Sequence, residues 1–373
     1  MDLGMRSRTG RRAFLPALAA IITWLAPAAF SATLLVTNPE PAVCVTSEDA
    51  VFEYTWGTLR PQTGLFSFSP PGLPALAPVV HAPRSAGPGD LVRVLVTEDE
   101  ELDSLSAQIL DSRQHVMFQG VGFRPESASP GHWVVLVGIS SEIPKGEYSL
   151  RVTAQAGARS IMFLSPVSVV ERLFRFERIP LNTDLTTLRT EKDPRKTAEA
   201  KEMARVLTTP HADAIFEEGT ILVPLAGARR TSGYGDRRKY VYADNSADYS
   251  VHEGLDIASP AGTPVPACGR GKVVLAGSRI MTGNTVIIEH LPGLFSIYFH
   301  LSEITVRPGD VVAEGDIIGK VGMTGLATGP HLHWEIQALG VPIDPVALAS
   351  GPILDRDADF GDIGTAKDPK GGE

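Results

Sequence analysis

Five of the nine histidines of this 373-residue chain fall between His252 and His333. Two of them stand in Gly329-Pro330-His331-Leu332-His333-Trp334-Glu335-Ile336. Alternate residues of a β-strand face opposite sides of a sheet. On a strand, then, His331, His333 and Glu335 share one face, and Leu332, Trp334 and Ile336 share another that suits a core. A histidine and a carboxylate stand four residues apart in His252-Glu253-Gly254-Leu255-Asp256, and a further histidine lies in Tyr298-Phe299-His300-Leu301-Ser302. Neutral imidazole is the commonest protein metal ligand. Together the three pieces predict a nitrogen/oxygen zinc site with histidines to spare.

Catalytic zinc sites carry three protein ligands and leave one position for water. The best three here are His252, Asp256 and His333. One carboxylate among them leaves the metal a net positive charge, which lowers the pKa of bound water from about 15.7 towards about 7. His331 and His300 remain as unligated imidazoles. Such a group takes the proton of the attacking water or stabilises the oxyanion formed at an amide carbonyl. Two spare histidines fit hydrolysis better than metal storage. The competing reading is five satisfied structural histidines on a β domain, because a lone His-x-His arises often by chance.

The elements that must hold these residues are strands. With 36 Gly, 29 Pro and 21% charged residues, the composition favours a turn-rich, mainly β protein. Candidate strands near the site are Lys272–Ala276, Thr285–Glu289, Phe295–Phe299, Ile317–Val321 and His331–Ile336, with no long helix among them. The length predicts roughly two domains. An apolar content of 43% is ample for packed cores, and a mean hydropathy near zero excludes a multi-span membrane protein. The net charge of −9, with no basic block beyond the N-terminus, excludes nucleic acid as a partner class. Two cysteines are too few for a disulfide framework. Cys268, in Pro264-Val265-Pro266-Ala267-Cys268-Gly269, reads as a small buried residue, and a bridge to Cys44 would need an oxidising compartment.

Taken in order, residues 1–32 read as an export signal. Arg6, Arg8, Arg11 and Arg12 precede an apolar run and small residues that offer cleavage points. Arg11-Arg12-Ala13-Phe14-Leu15 is similar to the twin-arginine signature; an ordinary secretion signal and an uncleaved membrane anchor are the other readings. All three put the remainder outside the cytoplasm, in a periplasm or cell envelope. Residues 33–78 read as an irregular or β extension, and 79–172 as an immunoglobulin-like β-sandwich built of short alternating strands. The acidic run Glu98–Glu101 is expected to be a solvated loop, and His81, His115 and His132 to be surface or core histidines. Residues 173–220 read as a connector holding one helix, with Asp193 as its cap and Pro194 at its first position. Residues 221–350 read as the metal-bearing β domain, and 351–373 as a disordered tail.

His252-x-Gly254-x-Asp256, Tyr298-x-His300-Leu301-Ser302 and Gly329-Pro330-His331-Leu332-His333 resemble the three signatures of the lysostaphin-type (LytM-like) zinc endopeptidases. Ser232-Gly233-Tyr234-Gly235-Asp236-Arg237, Gly262-Thr263-Pro264-Val265, Gly283-Asn284 and Ile343-Asp344-Pro345 support the resemblance in order. It implies a compact β-fold cleft with one zinc per chain, held by His252, Asp256 and His333, with His331 and His300 as the catalytic histidines. The implied substrate is the stem-peptide crosslinks of bacterial peptidoglycan. The stretch Lys239–Val251 is longer than the family's usual approach to the first ligand and could shape or cover the cleft, as could the N-terminal domain or the connector helix.

Two other function classes compete. One is a non-catalytic module. It is either a relative that activates another wall hydrolase, a kind that typically lacks metal ligands whereas all three are present here, or a wall-binding module, which zinc content and a crosslink-cleavage assay would separate from the enzyme. The hairpin pattern Val306-x-Pro308-Gly309-Asp310-Val311-Val312 resembles lipoyl- or biotinyl-carrier domains, but the lysine such a carrier needs at the hairpin tip is missing.

Overall fold

The computed structural model describes residues 43–46, 51–52, 65–68, 78–98, 101–126, 128 and 131–354. The export signal expected in residues 1–32 and the residues beyond Leu354 lie outside the described residues. Among the described residues, no helix is long and apolar enough to cross a membrane.

Antiparallel strands dominate. The sheet that carries the site runs in the order Arg229–Ser232, Leu255–Ala258, His331–Ala338, Leu294–Leu301, Gly283–Leu291, Gly271–Arg279, Val311–Val312, with Val341–Ile343 paired to His331–Ala338. Period-two alternation fixes its faces. Leu255, Ile257, Tyr298, Leu332, Trp334 and Ile336 enter one apolar cluster, each at most 2% exposed. The opposite face carries Asp256, Phe299, His331 and His333. The connector covers part of that second face: Leu207, Met203 and Val206 of the helix Pro194–Leu207 pack on Ile287, Phe295, Ile297 and Phe299. The helix begins as its sequence predicts, with Asp193 accepting from Arg195 N and Pro194 in the first turn.

The connector also contains two elements that the sequence did not disclose. One is the helix Thr183–Thr190, capped by Asn182 and with no buried residue. The other is the strand Phe176–Pro180, which pairs in parallel with Arg237–Val241; that strand forms an antiparallel hairpin with Ala247–Val251. The long stretch before His252 is therefore a hairpin, extended into a three-stranded sheet by the connector.

The N-terminal strands form an eleven-stranded arrangement about their own core, which includes Val94, Ile109, Val135, Leu150 and Val152. This unit is joined to the site-bearing domain by burial. Leu95, Phe123, Val134 and Leu136 belong to the same apolar cluster as Trp334 and Ile336. Gly138 permits the approach: a Cβ there would stand 3.1 Å from Ala338, Val341 and Ile343. Tyr234 stitches the seam, accepting from Ser141 N at 3.0 Å and donating to Pro342 O at 2.9 Å.

Two expectations need correction. Glu98 is not solvated, because its side chain is 3% exposed and accepts from Trp133 Nε1 at 2.8 Å. The tail cannot start at residue 351, because Ile353 and Leu354 are buried in the core and their amides donate to Gly219 O and Glu218 O. Cys268 is buried as expected and stands as a free thiol.

Because the two units share a core, they should unfold together. Leu136→Ala is expected to cost about 2–5 kcal/mol and to lower one common denaturation midpoint, followed by tryptophan fluorescence and far-UV circular dichroism. Two separated transitions, with only the first displaced, would contradict the shared core.

Candidate metal centre

Strand register brings the ligand candidates together. Asp256 is paired with His333 across one strand boundary, and His333 with Phe299 across the next. Paired residues share a face, so the carboxylate, the imidazole and the phenyl ring form one row. The Phe299 ring stacks on the His333 imidazole, with centroids 5.2 Å apart and planes 6° from parallel. His252 enters from the end of the hairpin. Gly254 lets it do so, because a Cβ at that position would lie 2.4 Å from Trp334 O and 3.0 Å from His333 Nε2.

Three donor atoms converge. His333 Nδ1 lies 2.8 Å from Asp256 Oδ1, His252 Nε2 lies 3.1 Å from the same oxygen, and the two nitrogens are 3.0 Å apart. All three residues are buried. The outer ring nitrogens are occupied: His252 Nδ1 donates to Gly233 O at 2.7 Å, and His333 Nε2 lies 2.7 Å from Glu335 Oε1. Metal-binding histidines characteristically have their second nitrogen held in this way. A His/Asp/His set of nitrogen and oxygen donors, closed to within hydrogen-bonding distance and turned inward by outer partners, fits zinc.

The electrostatics agree with a site built for a cation. Burial works against ionisation of Asp256, yet hydrogen bonds from His252 and His333 hold its carboxyl well below the usual range. Burial would depress His333, but bonding to Asp256 and Glu335 outweighs it and pushes the imidazole up to about 9. His252 is lowered by burial. The carboxylates thus stabilise positive charge at His333, while burial disfavours it at His252, and metal binding competes with protons for those positions.

His331 and His300 stand beside the cluster. His331 Nε2 is 3.6 Å from Asp256 Oδ1, and its Nδ1 donates to Gly329 O at 2.8 Å. His300 Nδ1 donates to Thr324 O at 2.8 Å. The two rings are 4.8 Å apart. Each carbonyl fixes the tautomer, so each ring presents a bare Nε2. Burial, with His333 and His331 as neighbours, takes His300 down to about 3 and keeps it neutral. The φ of +61° at His300 is rare for a residue with a side chain, and it aims the ring into the cleft. The fifth histidine of the sequence cluster, His290, does not join them. It is buried in the core, donating to Arg270 O and bonding Ser296 Oγ.

A cavity of about 300 Å³ opens over these residues. Its walls include Ile179, Leu181 and Arg189 from the connector and Tyr240 from the hairpin. Arg189 lies over the Tyr240 ring at 4.1 Å. Connector and hairpin therefore flank the cleft. Glu335 and Arg238 are site residues that sequence reasoning did not assign. The signal for Glu335 was its place two residues after His333 on the same strand face. For Arg238 no motif pointed to the site.

Residues 250–345 match peptidase family M23. Over 131 residues the chain is 38% identical to the DD-carboxypeptidase/endopeptidase Mpg of Neisseria meningitidis, covering 35% of this chain and 29% of that protein. Over 116 residues it is 40% identical to the peptidoglycan DD-endopeptidase ShyA of Vibrio cholerae, covering 31% of this chain and 26% of that protein. It is also similar to the solved catalytic domain of the antimicrobial peptidase lysostaphin from Staphylococcus simulans. There the identity is 33%, over 33% of this chain and 92% of that one, with a TM-score of 0.29. The chain spans less than a third of the length of the curated relatives it matches.

Glu335→Gln keeps the side-chain volume but removes the charge that holds His333 Nε2. Loss of such an outer partner is expected to weaken zinc binding about 10–100-fold, measured by competition with a chromophoric chelator. Affinity equal to wild type would show that Glu335 does not orient the ligand.

Proposed function

Residues 250–345 are a peptidase family M23 domain, and from that premise we propose that the protein is a zinc-dependent endopeptidase cleaving the peptide crosslinks of bacterial peptidoglycan. The observation that carries the reading is the convergence of His252 Nε2, Asp256 Oδ1 and His333 Nδ1 beside the two further imidazoles of His331 and His300. The ligand set is His252, Asp256 and His333, with one zinc per chain. Bound there, zinc supplies a Lewis acid that polarises the scissile carbonyl and acidifies a water.

The chain's own residues do the rest. Nε2 of His331 faces the donor cluster with its lone pair free, and it takes the proton of the attacking water. The imidazolium so formed is a donor, suited to the oxyanion or to returning the proton to the leaving amine. His300, kept neutral by burial, supplies a second acceptor on the same side. The open cleft and its mixed walls suit an extended peptide. The names of the relatives, a DD-carboxypeptidase/endopeptidase and a peptidoglycan DD-endopeptidase, support a crosslink between D-configured centres. Such a substrate lies in the cell envelope, consistent with an export signal in residues 1–32. The same reading takes residues 79–172 as an immunoglobulin-like sandwich that docks the peptidase, with the connector as its cleft wall.

Digestion of defined peptidoglycan by the zinc-loaded chain, read by mass spectrometry of muropeptides, should convert crosslinked dimers to monomers. His331→Ala should retain zinc and lower turnover about 10²–10⁴-fold. Undiminished turnover in that variant would remove His331 from proton transfer, and intact dimers with the zinc-loaded wild type would remove the substrate assignment.

A further inference from the structure

The Asp256 carboxylate is divided between two kinds of partner. Oδ1 faces His333 and His252, while Oδ2 turns away and accepts from Nη2 of Arg238 at 2.5 Å. The guanidinium is divided too. Its Nε donates to Glu177 Oε2 at 3.2 Å, and that oxygen also accepts from Ser232 Oγ at 2.7 Å. The side chains of Arg238 and Asp256 are 11% and 10% exposed. Backbone register sets the chain of contacts: Glu177 stands opposite Arg238 on the parallel pair, and Ser232 opposite Asp256 on the antiparallel one. Glu177 and Arg238 both lie outside the stretch matched to the family.

We propose that Arg238 is the positioning residue for the carboxylate ligand and that Glu177 anchors it, so that the connector strand Phe176–Pro180 forms the outer part of the metal site. The proposal rests on reading the cluster as a zinc centre. A carboxylate that rotates freely offers both oxygens to a metal. Holding Oδ2 leaves one donor, which keeps the protein ligands at three atoms and a position open for water. Arginine suits the task because it is permanently charged and its planar fork reaches two carboxylates at once. A cation near a metal ligand also repels the metal, so orientation and repulsion have opposite signs. Here the guanidinium binds the oxygen remote from the histidines, and Glu177 offsets its charge. Both features favour orientation.

Zinc affinity of the full chain is measured by chelator competition for wild type, Arg238→Ala, Arg238→Lys, Glu177→Gln and the Arg238→Ala/Glu177→Gln pair. Thermal unfolding of the metal-free proteins is recorded alongside. Arg238→Ala is expected to weaken zinc binding about 10–100-fold. Arg238→Lys should recover part of that loss, because an ammonium can hold Oδ2 without reaching Glu177. Glu177→Gln should weaken binding by less than Arg238→Ala while leaving the metal-free midpoint unchanged. The double variant should lose no more than Arg238→Ala alone, because Glu177 acts through Arg238. Zinc binding by Arg238→Ala as tight as wild type or tighter overturns the proposal, and so does full additivity of the two losses. Should Arg238→Ala fail to fold, unchanged affinity in Glu177→Gln overturns it. A wild-type chain that takes up no zinc fails the reading of the cluster itself, a result distinct from unaltered affinity in the variants.

Discussion

The pairing of Asp256 with His333, and of His333 with Phe299, is the constraint on which the rest depends. A one-residue slip in that register would send Leu332 and Trp334 to the cleft and both histidines into the core. Burial of Leu332, Trp334 and Ile336 in the apolar cluster prevents the slip. The hydrophobic face of one strand therefore determines where the ligand candidates stand. Gly254 completes the arrangement, since any side chain there would meet the Trp334 carbonyl.

The same sheet is held from both sides by parts of the chain outside the matched stretch. The N-terminal unit contributes Leu95, Phe123, Val134 and Leu136 to the core behind the site. The connector helix closes the cleft face beyond Phe299. This bears on the idea that an N-terminal part acts as a removable cover. Among the described residues, the cavity lining comes from residue 179 onward, and Leu95, Phe123, Val134 and Leu136 of the N-terminal strands pack behind the sheet. Connector and hairpin are walls whose packing is continuous with the site.

Much of the site was legible in the sequence because strand alternation and short motifs are local signals. The faces of His331–Ile336, the helix start at Asp193 and the buried Cys268 all followed from neighbouring residues. What was missed depends on contacts far along the chain. The helix Thr183–Thr190 buries no residue and so has no apolar stripe to betray it. The strand Phe176–Pro180 is half exposed and pairs in parallel with a partner about sixty residues away. No local motif singles out Glu177 or Arg238; that pairing sets Glu177 against Arg238, which reaches Asp256. Ile353 and Leu354 fall in the stretch read as a tail, yet their side chains join the apolar cluster and their amides bond the backbone of Gly219 and Glu218.

The central claim is that two imidazoles and one carboxylate hold a metal while two more imidazoles stand by unligated. Zinc K-edge X-ray absorption of the zinc-loaded full chain tests it most directly. The account predicts a four-coordinate environment of nitrogen and oxygen only, with the multiple-scattering signature of two imidazoles. Three or four imidazoles, or a sulfur neighbour, would contradict it.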